Sequence, residues 1–260
     1  MTLSLAPNEA HIWLVNPQSI TDEALLQSYF PLMNEAESTQ QQRFLRPIDR
    51  HRYLVTRALA RTTLSHYMNR APEDWKFDFN DYGRPEVSAD QQDIPLRFNI
   101  SHTNELIAMV VNLTDDAGVD VEDVSRRVGV MSIADFSFAP GESKDLQSLT
   151  GQEQKDRFFL YWTLKEAYIK ARGMGLSLPL SKFSFHRSRG QDLFIDFDPD
   201  FKDQASFWQF LCYTPTDKHW MSVAFQNQIT PDYNIRMFWV VPGQSKREVT
   251  YNPAMKTLQG

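Results

Sequence analysis

The alternation of apolar and polar positions divides the chain into two stretches of similar plan. "HIWLVNP" reads as a first strand closed by Asn16-Pro17, and "DEALLQSYF" as a short helix stopped by Pro31. "NEAESTQQQRF" is polar but helix-forming. Pro47 then stands where proline is tolerated, at a helix start. In "PIDRHRYLVTRALARTTLSHYM", Tyr53, Leu54, Ala58, Leu64 and Tyr67 recur at helical spacing. The period next changes to two: Trp75, Phe77 and Phe79 alternate with polar residues. "YGRP" makes a turn, and "LRFNI" and "ELIAMVVNL" read as strands on either side of a turn "SHTN".

After the turn "TDDAG" comes a strand "VDVEDV", helical material from Ser125 to Phe136, and a break at "FAPGE". A long helix runs from Gly151 to Arg172, with Gly173 placed to end it. Five strand-like runs follow: "KFSFH", "LFIDF", "FWQFLCYT", "HWMSVAFQ" and "IRMFWVV". The tail "PGQSKREVTYNPAMKTLQG" is polar and reads as loose. Each stretch thus sets a long helix before a small group of strands, an α+β plan without regular alternation. The boundary falls near Asp115–Gly118, which gives subdomains over 1–115 and 116–243 and a tail over 244–260. No residue-level repeat links the two.

Composition narrows the function. With 260 residues, 42% of them hydrophobic, the chain can bury a sizeable core. No apolar run is long enough to cross a bilayer, and the start lacks a secretory layout, so a cytoplasmic protein with no membrane partner is expected. Cys212 is the sole cysteine, which excludes an internal disulfide framework and a cysteine-rich zinc site. A net charge of −6 argues against nucleic acid as a partner. It leaves room for a local basic pocket, and Arg43, Arg46, Arg50, Arg52, Arg57 and Arg61 do cluster.

Candidate chemistry begins in "GVDVED". On a strand, Asp120 and Glu122 share one face while Val119 and Val121 take the other. Two close carboxylates repel, and Mg²⁺, which takes oxygen ligands, would relieve the repulsion; a solvated strand face is the plain alternative. On the long helix Trp162, Glu166 and Lys170 stand four apart on one stripe. Glu before Lys at that spacing is an ordinary ion pair worth about 0.2–0.5 kcal/mol. The large Trp162 on the stripe and the adjacent Lys165 suggest something more enclosed. Ser101 and His102 are neighbours in chain order, a poor arrangement for a nucleophile and its base, and a phosphate-contacting or capped role suits them better. Arg84 in "YGRP" is held in a rigid turn suited to an anion.

In chain order, "GVDVE" (118–122) and "WTLKEAYIK" (162–170) resemble the paired signature of the 4'-phosphopantetheinyl transferases. "YGRP" (82–85), "FNISH" (98–102) and "GLSLPL" (175–180) resemble segments of the larger, surfactin-synthetase-activating (Sfp) type. The resemblance spans Arg43 to Phe185. It implies a pseudo-dimer of two similar α/β subdomains with the active site in the cleft between them. It also implies an enzyme that moves the phosphopantetheine arm of coenzyme A onto a serine of an apo acyl, peptidyl or polyketide carrier protein, releasing 3',5'-ADP. Fatty-acid, polyketide and nonribosomal-peptide carriers all fall within that class.

Carried over by motif position, Asp120, Glu122 and Glu166 would hold Mg²⁺. Glu166, Lys165 and Lys170 would be catalytic, with both lysines near the coenzyme A phosphates. Arg52, Arg84, Ser101 and His102 would contact the nucleotide end. Glu166, directly or through a metal-bound water, would be the base for the carrier serine. Carrier proteins present an acidic helix, so Arg126, Arg127 and the stretch Ile133–Phe138 are candidates to receive it. The larger type works as a monomer. One departure stands out: related enzymes carry basic residues before the segment matching "QRFLRPIDRHR", where this chain has "EAESTQQQ". Arg43, Arg46 or Arg50 would have to substitute. Two other readings are a Mg²⁺-dependent phosphohydrolase using the same carboxylates and a non-catalytic carrier-binding module; intact carboxylates and lysines speak against the last.

Overall fold

The computed structural model describes residues 2–113, 115–188, 190, 192–226 and 232–257. In chain order the elements are β1 (Glu9–Val15), α1 (Glu23–Tyr29), α2 (Glu35–Arg43), α3 (Pro47–Leu64), β2 (Phe77–Phe79), β3 (Pro85–Val87), β4 (Leu96–His102) and β5 (Ile107–Leu113). Then come β6 (Ala117–Asp123), α4 (Val130–Ser137), α5 (Pro140–Gln147) and α6 (Gly151–Arg172). The strands β7 (Phe183–Arg187), β8 (Asp192–Phe197), β9 (Trp208–Thr216), β10 (His219–Gln226), β11 (Asn234–Val241), β12 (Ser245–Val249) and β13 (Met255–Thr257) complete the chain. Two compact units result. One comprises Met1–Phe79, Pro85–Thr114 and Tyr233–Thr250; the other comprises Asn80–Arg84, Asp115–Asp232 and Tyr251–Gly260.

The first unit is built on a five-stranded sheet in the order β12-β11-β1-β5-β4. β1 pairs antiparallel with β5 and parallel with β11. Pro47 opens α3 at its first turn, and Leu54, Val55, Ala58, Leu59 and Leu64 form a buried stripe. That stripe joins Trp13, Val15, Ile107, Met109, Val111 and Phe238 in one core. The polar α2 forms because Asn34 and Glu37 cap it reciprocally. The cluster of arginines seen in the sequence is largely occupied internally. Arg61 pairs with Glu37 at 2.7 Å in a nearly dry setting, Arg57 approaches the same carboxylate at 3.6 Å, and Arg50 donates to the Phe44 carbonyl at 2.7 Å.

The second unit has a six-stranded sheet in the order β6-β10-β9-β13-β8-β7. α6 is buried along Phe158, Phe159, Leu160, Leu164, Ala167, Tyr168 and Ala171 and shares a core with Phe183, Phe185, Trp208 and Phe210. It stops where expected, at Gly173, whose φ of 63° is the left-handed conformation that a residue without Cβ adopts freely. Near that end Asp203 accepts from Tyr168 Oη at 2.6 Å and Trp208 Nε1 at 2.9 Å and pairs with Arg172.

The expected subdomain limits need correction at three places. The break after 113 stands close to the boundary read from the sequence, but Asn80–Arg84 belongs to the second unit, and residues 233–243 with β11, expected in the second, belong to the first. The tail is not loose: β12 pairs antiparallel with β11 in the first unit, and β13 is inserted between β9 and β8 in the second. Polarity misled there because β12 is an exposed edge strand and β13 buries only Met255. Ser101 and His102 end β4 rather than forming the turn. The helix expected from Ser125 begins only at Val130. Thr114 of the expected turn and 258–260 of the tail lie outside the described residues.

If β13 is integral to the second sheet, replacing Met255, 3% exposed, with Asp buries an unpaired charge. The Met255→Asp variant is expected to lose more than about 3 kcal/mol in denaturant unfolding. Wild-type stability would contradict the strand.

Candidate functional site

The site starts from a residue with no side chain. A Cβ on Gly118 would lie 2.1 Å from the Ala167 carbonyl oxygen and 2.4 Å from the Ala171 nitrogen, so the backbone of α6 rests directly on β6. Gly118, Asp120 and Glu122 alternate onto the face turned to that helix. Val119 and Val121 are buried on the other. On β10, Ser222 stands opposite Asp120 and Trp220 opposite Glu122. The Ser222 hydroxyl hydrogen-bonds Thr163 Oγ1 of α6 at 2.8 Å, a second point where helix and sheet are pinned.

This contact brings Asp120, Glu122, Trp162, Glu166 and Lys170 together. Lys170 Nζ donates to Asp120 Oδ1 at 2.6 Å and to the Val119 carbonyl at 3.3 Å. Its partner is therefore across the helix–strand contact, not Glu166 one turn earlier. The indole of Trp162 hydrogen-bonds Glu122, and Arg126 Nη1 lies 3.0 Å from Glu122 Oε2. Burial, reinforced by the Asp120 charge, pushes Glu122 up to about 7, with Arg126 and Lys170 opposing. Burial and then Asp120 push Glu166 up to about 7, against the pull of Lys170. Glu166 has no ion pair within 4 Å among the described residues.

Two expected site residues sit elsewhere. Lys165 is fully buried, and its Nζ reaches Glu142 Oε2 at 2.8 Å, the Leu180 carbonyl at 2.7 Å and the Phe183 carbonyl at 2.6 Å. With three N–H bonds so directed and the Phe183 ring 4.3 Å away, its ammonium is engaged as a structural clamp, away from Glu166 and Lys170. Adjacent helical residues point about 100° apart, which is why Lys165 faces away from Glu166. Glu142 completes the clamp by accepting from the Ala139 and Phe185 backbone N–H groups. Burial moves the Glu142 carboxyl up and the Lys165 ammonium down, each opposed by the other's charge. Arg84 is also buried, and its Nη1 donates to the Ala171 carbonyl at 2.8 Å.

In the first unit, Arg52 Nη1 donates to Asn104 Oδ1 at 2.6 Å and Nη2 to Asp49 Oδ1 at 2.8 Å. Arg52 thereby ties α3 to the turn that follows His102. Ser101 is buried and His102 exposed. Sequence reasoning passed over Gly118, Glu142 and Asn80. Glu142 alone left a signal, an acid at the third position after the Ala139-Pro140 helix start.

Among the described residues no three His, Cys, Asp or Glu side chains are gathered as a ready metal site. The donor chemistry nevertheless fits a hard cation. Asp120, Glu122 and Glu166 supply carboxylate oxygens, and burial first, then the Asp120 charge, pushes Glu122 and Glu166 up to about 7, a cost that a bound cation would offset.

The 4'-phosphopantetheinyl transferase superfamily profile matches residues 116–224, and the profile of the N-terminal part of 4'-phosphopantetheinyl transferases matches residues 21–114. The 4'-phosphopantetheinyl transferase HetI of Nostoc sp. is 33% identical over 175 residues, covering 67% of this chain and 73% of that protein. A 4'-phosphopantetheinyl transferase of Bacillus subtilis is 36% identical over 143 residues, 55% of this chain and 61% of its own. The Sfp transferase of Bacillus subtilis strain 168 is 34% identical over 143 residues, with the same shares of 55% and 61%.

Two substitutions test the packing. Gly118→Ala is expected to cost about 1–3 kcal/mol, because backbone and not a flexible side chain must move. Gly141→Ala, whose Cβ would meet only His186 Cε1 at 3.7 Å, should leave stability level or raise it by up to about 1 kcal/mol. Equal effects at both positions would refute the close approach. Lys165→Met, which strands Glu142, is expected to cost about 3–5 kcal/mol, with Glu142→Gln added to it recovering part of the loss. Denaturation midpoints read both, and an unchanged midpoint in Lys165→Met would show the clamp is absent.

Proposed function

The chain belongs to the 4'-phosphopantetheinyl transferase superfamily, and on that premise we propose that the carboxylates and Lys170 of its second unit perform the transfer. The reaction takes the 4'-phosphopantetheine group of coenzyme A to a serine of an apo carrier protein and releases 3',5'-ADP. One observation supports the assignment above the others: Gly118 seats α6 so that Asp120 and Glu122 meet Glu166 and Lys170 in a largely enclosed patch.

Asp120, Glu122 and Glu166 are the residues that would hold Mg²⁺, which when bound offsets pyrophosphate charge and polarises phosphorus. Glu166 accepts the proton of the carrier serine hydroxyl as that oxygen attacks the β-phosphorus of coenzyme A. The phosphorus–oxygen bond to 3',5'-ADP breaks, and the departing oxygen keeps the electron pair. Lys170, part-exposed on the same stripe, places its ammonium toward the charge that gathers there. No nucleophile from the enzyme is needed, so the chain's work is positioning and charge stabilisation. Trp162 steadies Glu122 and walls the patch.

The motif match supports Arg52, Ser101 and His102 as contacts to the nucleotide end. Arg126 and Phe136, both exposed, with Arg127 and Ile133, suit the acidic and apolar face of a carrier helix. A monomer acting in the cytoplasm is the setting this implies. No helix among the described residues is long and apolar enough to cross a membrane.

The test is incubation with coenzyme A, Mg²⁺ and several apo carrier proteins, followed by intact mass. The expected product is the carrier carrying one phosphopantetheine. Coenzyme A hydrolysis without an adduct would instead make the protein a phosphohydrolase. Glu166→Gln should abolish transfer while keeping the thermal transition of the wild type, and near-normal turnover would remove Glu166 from the mechanism.

A further inference from the structure

The arginine of "YGRP" faces the end of α6, and the residues around it form a compact device. Asn80 Oδ1 accepts from the Tyr82 N–H at 3.0 Å and the Arg84 N–H at 2.9 Å, which folds the five residues 80–84 into a tight turn. Asn80 Nδ2 donates outward to the Gly173 carbonyl at 2.8 Å. Arg84 Nη1 donates to the Ala171 carbonyl at 2.8 Å and lies 3.4 Å from the Lys170 carbonyl. Asp116, just ahead of β6, lies 3.6 Å from the same Nη1. Gly173 is pressed against this turn: a Cβ there would lie 3.1 Å from Asn80 Nδ2 and 3.3 Å from Arg84 Nη1.

The last carbonyls of a helix have no partner within it, and they carry the negative end of its dipole. A buried guanidinium and an amide N–H₂ therefore suit that end on both counts. The carbonyls they hold belong to the turn that carries Lys170, whose Nζ reaches Asp120 across the helix–strand contact. Asp116, beside the same guanidinium, leads into the strand that bears Asp120.

We infer that Asn80 and Arg84 are positioning residues that fix the C-terminal turn of α6, and through it Lys170, against β6. Arg84 acts on the reaction through Lys170. The inference rests on the transferase reading given above and deepens it.

The experiment is steady-state kinetics of transfer with coenzyme A and an apo carrier protein for Arg84→Met, Asn80→Ala, Lys170→Ala and the double variant Arg84→Met/Lys170→Ala. Both single turn variants are expected to lower kcat by about tenfold or more, with KM for coenzyme A within about twofold of wild type, as a small misplacement of a catalytic group does. The double variant is expected to be no slower than Lys170→Ala alone, because both changes spoil one interaction. A role limited to general stability would give additive losses and would overturn the inference. So would a KM for coenzyme A raised about tenfold with kcat held, which would mark Arg84 as a ligand contact. If Arg84→Met does not fold, Asn80→Ala and its double variant with Lys170→Ala answer the same question. Wild-type protein that makes no adduct at all would instead refute the transferase reading.

Discussion

The close approach of α6 to β6 at Gly118 is the constraint on which the remaining features of the site depend. Helix backbone can reach strand backbone only where the strand lacks a Cβ and the helix offers small residues, here Ala167 and Ala171. That contact sets both the depth and the rotation of α6. Other attachments then hold the helix in place. Thr163 meets Ser222 on the sheet side, Lys165 reaches Glu142 and the 180–183 backbone, Arg172 and Tyr168 meet Asp203, and the 80–84 turn closes the end. Several of these spend a buried charge on fixed backbone or carboxylate partners, a costly arrangement in an apolar core unless every polar atom is met.

The outcome is an electrostatic imbalance placed where it is useful. Asp120 is partnered by Lys170, while Glu122 and Glu166 sit in its field and in partial burial. Three carboxylates so placed favour an incoming cation or proton. Lys170 and Arg126 moderate the repulsion at the edges without ending it. The folded chain thus tolerates the cluster, and the same cluster suits a reaction whose demands are charge neutralisation and orientation.

Much of this was legible in the sequence, for identifiable reasons. The limits of α6 followed from its apolar spacing and from Gly173. The shared face of Asp120 and Glu122 followed from strand alternation, and the ordered motifs tied that face to Glu166. What stayed hidden was every partnership with no local signature. Glu142 lies 23 residues before Lys165, and nothing in "APGE" announces an ion pair. The helical offset between neighbours could have separated Lys165 from Glu166, but adjacency in the motif suggested a common role. Arg84 reads as an anion contact because a rigid turn holds it; the helix-end carbonyl to which it donates lies far along the chain and leaves no mark beside "YGRP". The tail defeated reading by pattern, since one of its strands is a polar edge and the other is three residues long.

The central claim is that α6, seated on Gly118, brings Glu166 to Asp120 and Glu122 as one cation-binding group. Amide NMR with coenzyme A and Mn²⁺ in place of Mg²⁺ tests it most directly, because a paramagnetic ion broadens the signals nearest to it. The account expects the strongest broadening at the amides around Asp120, Glu122 and Glu166, with Glu142 far less affected. Strong broadening elsewhere, with those three left sharp, would contradict it.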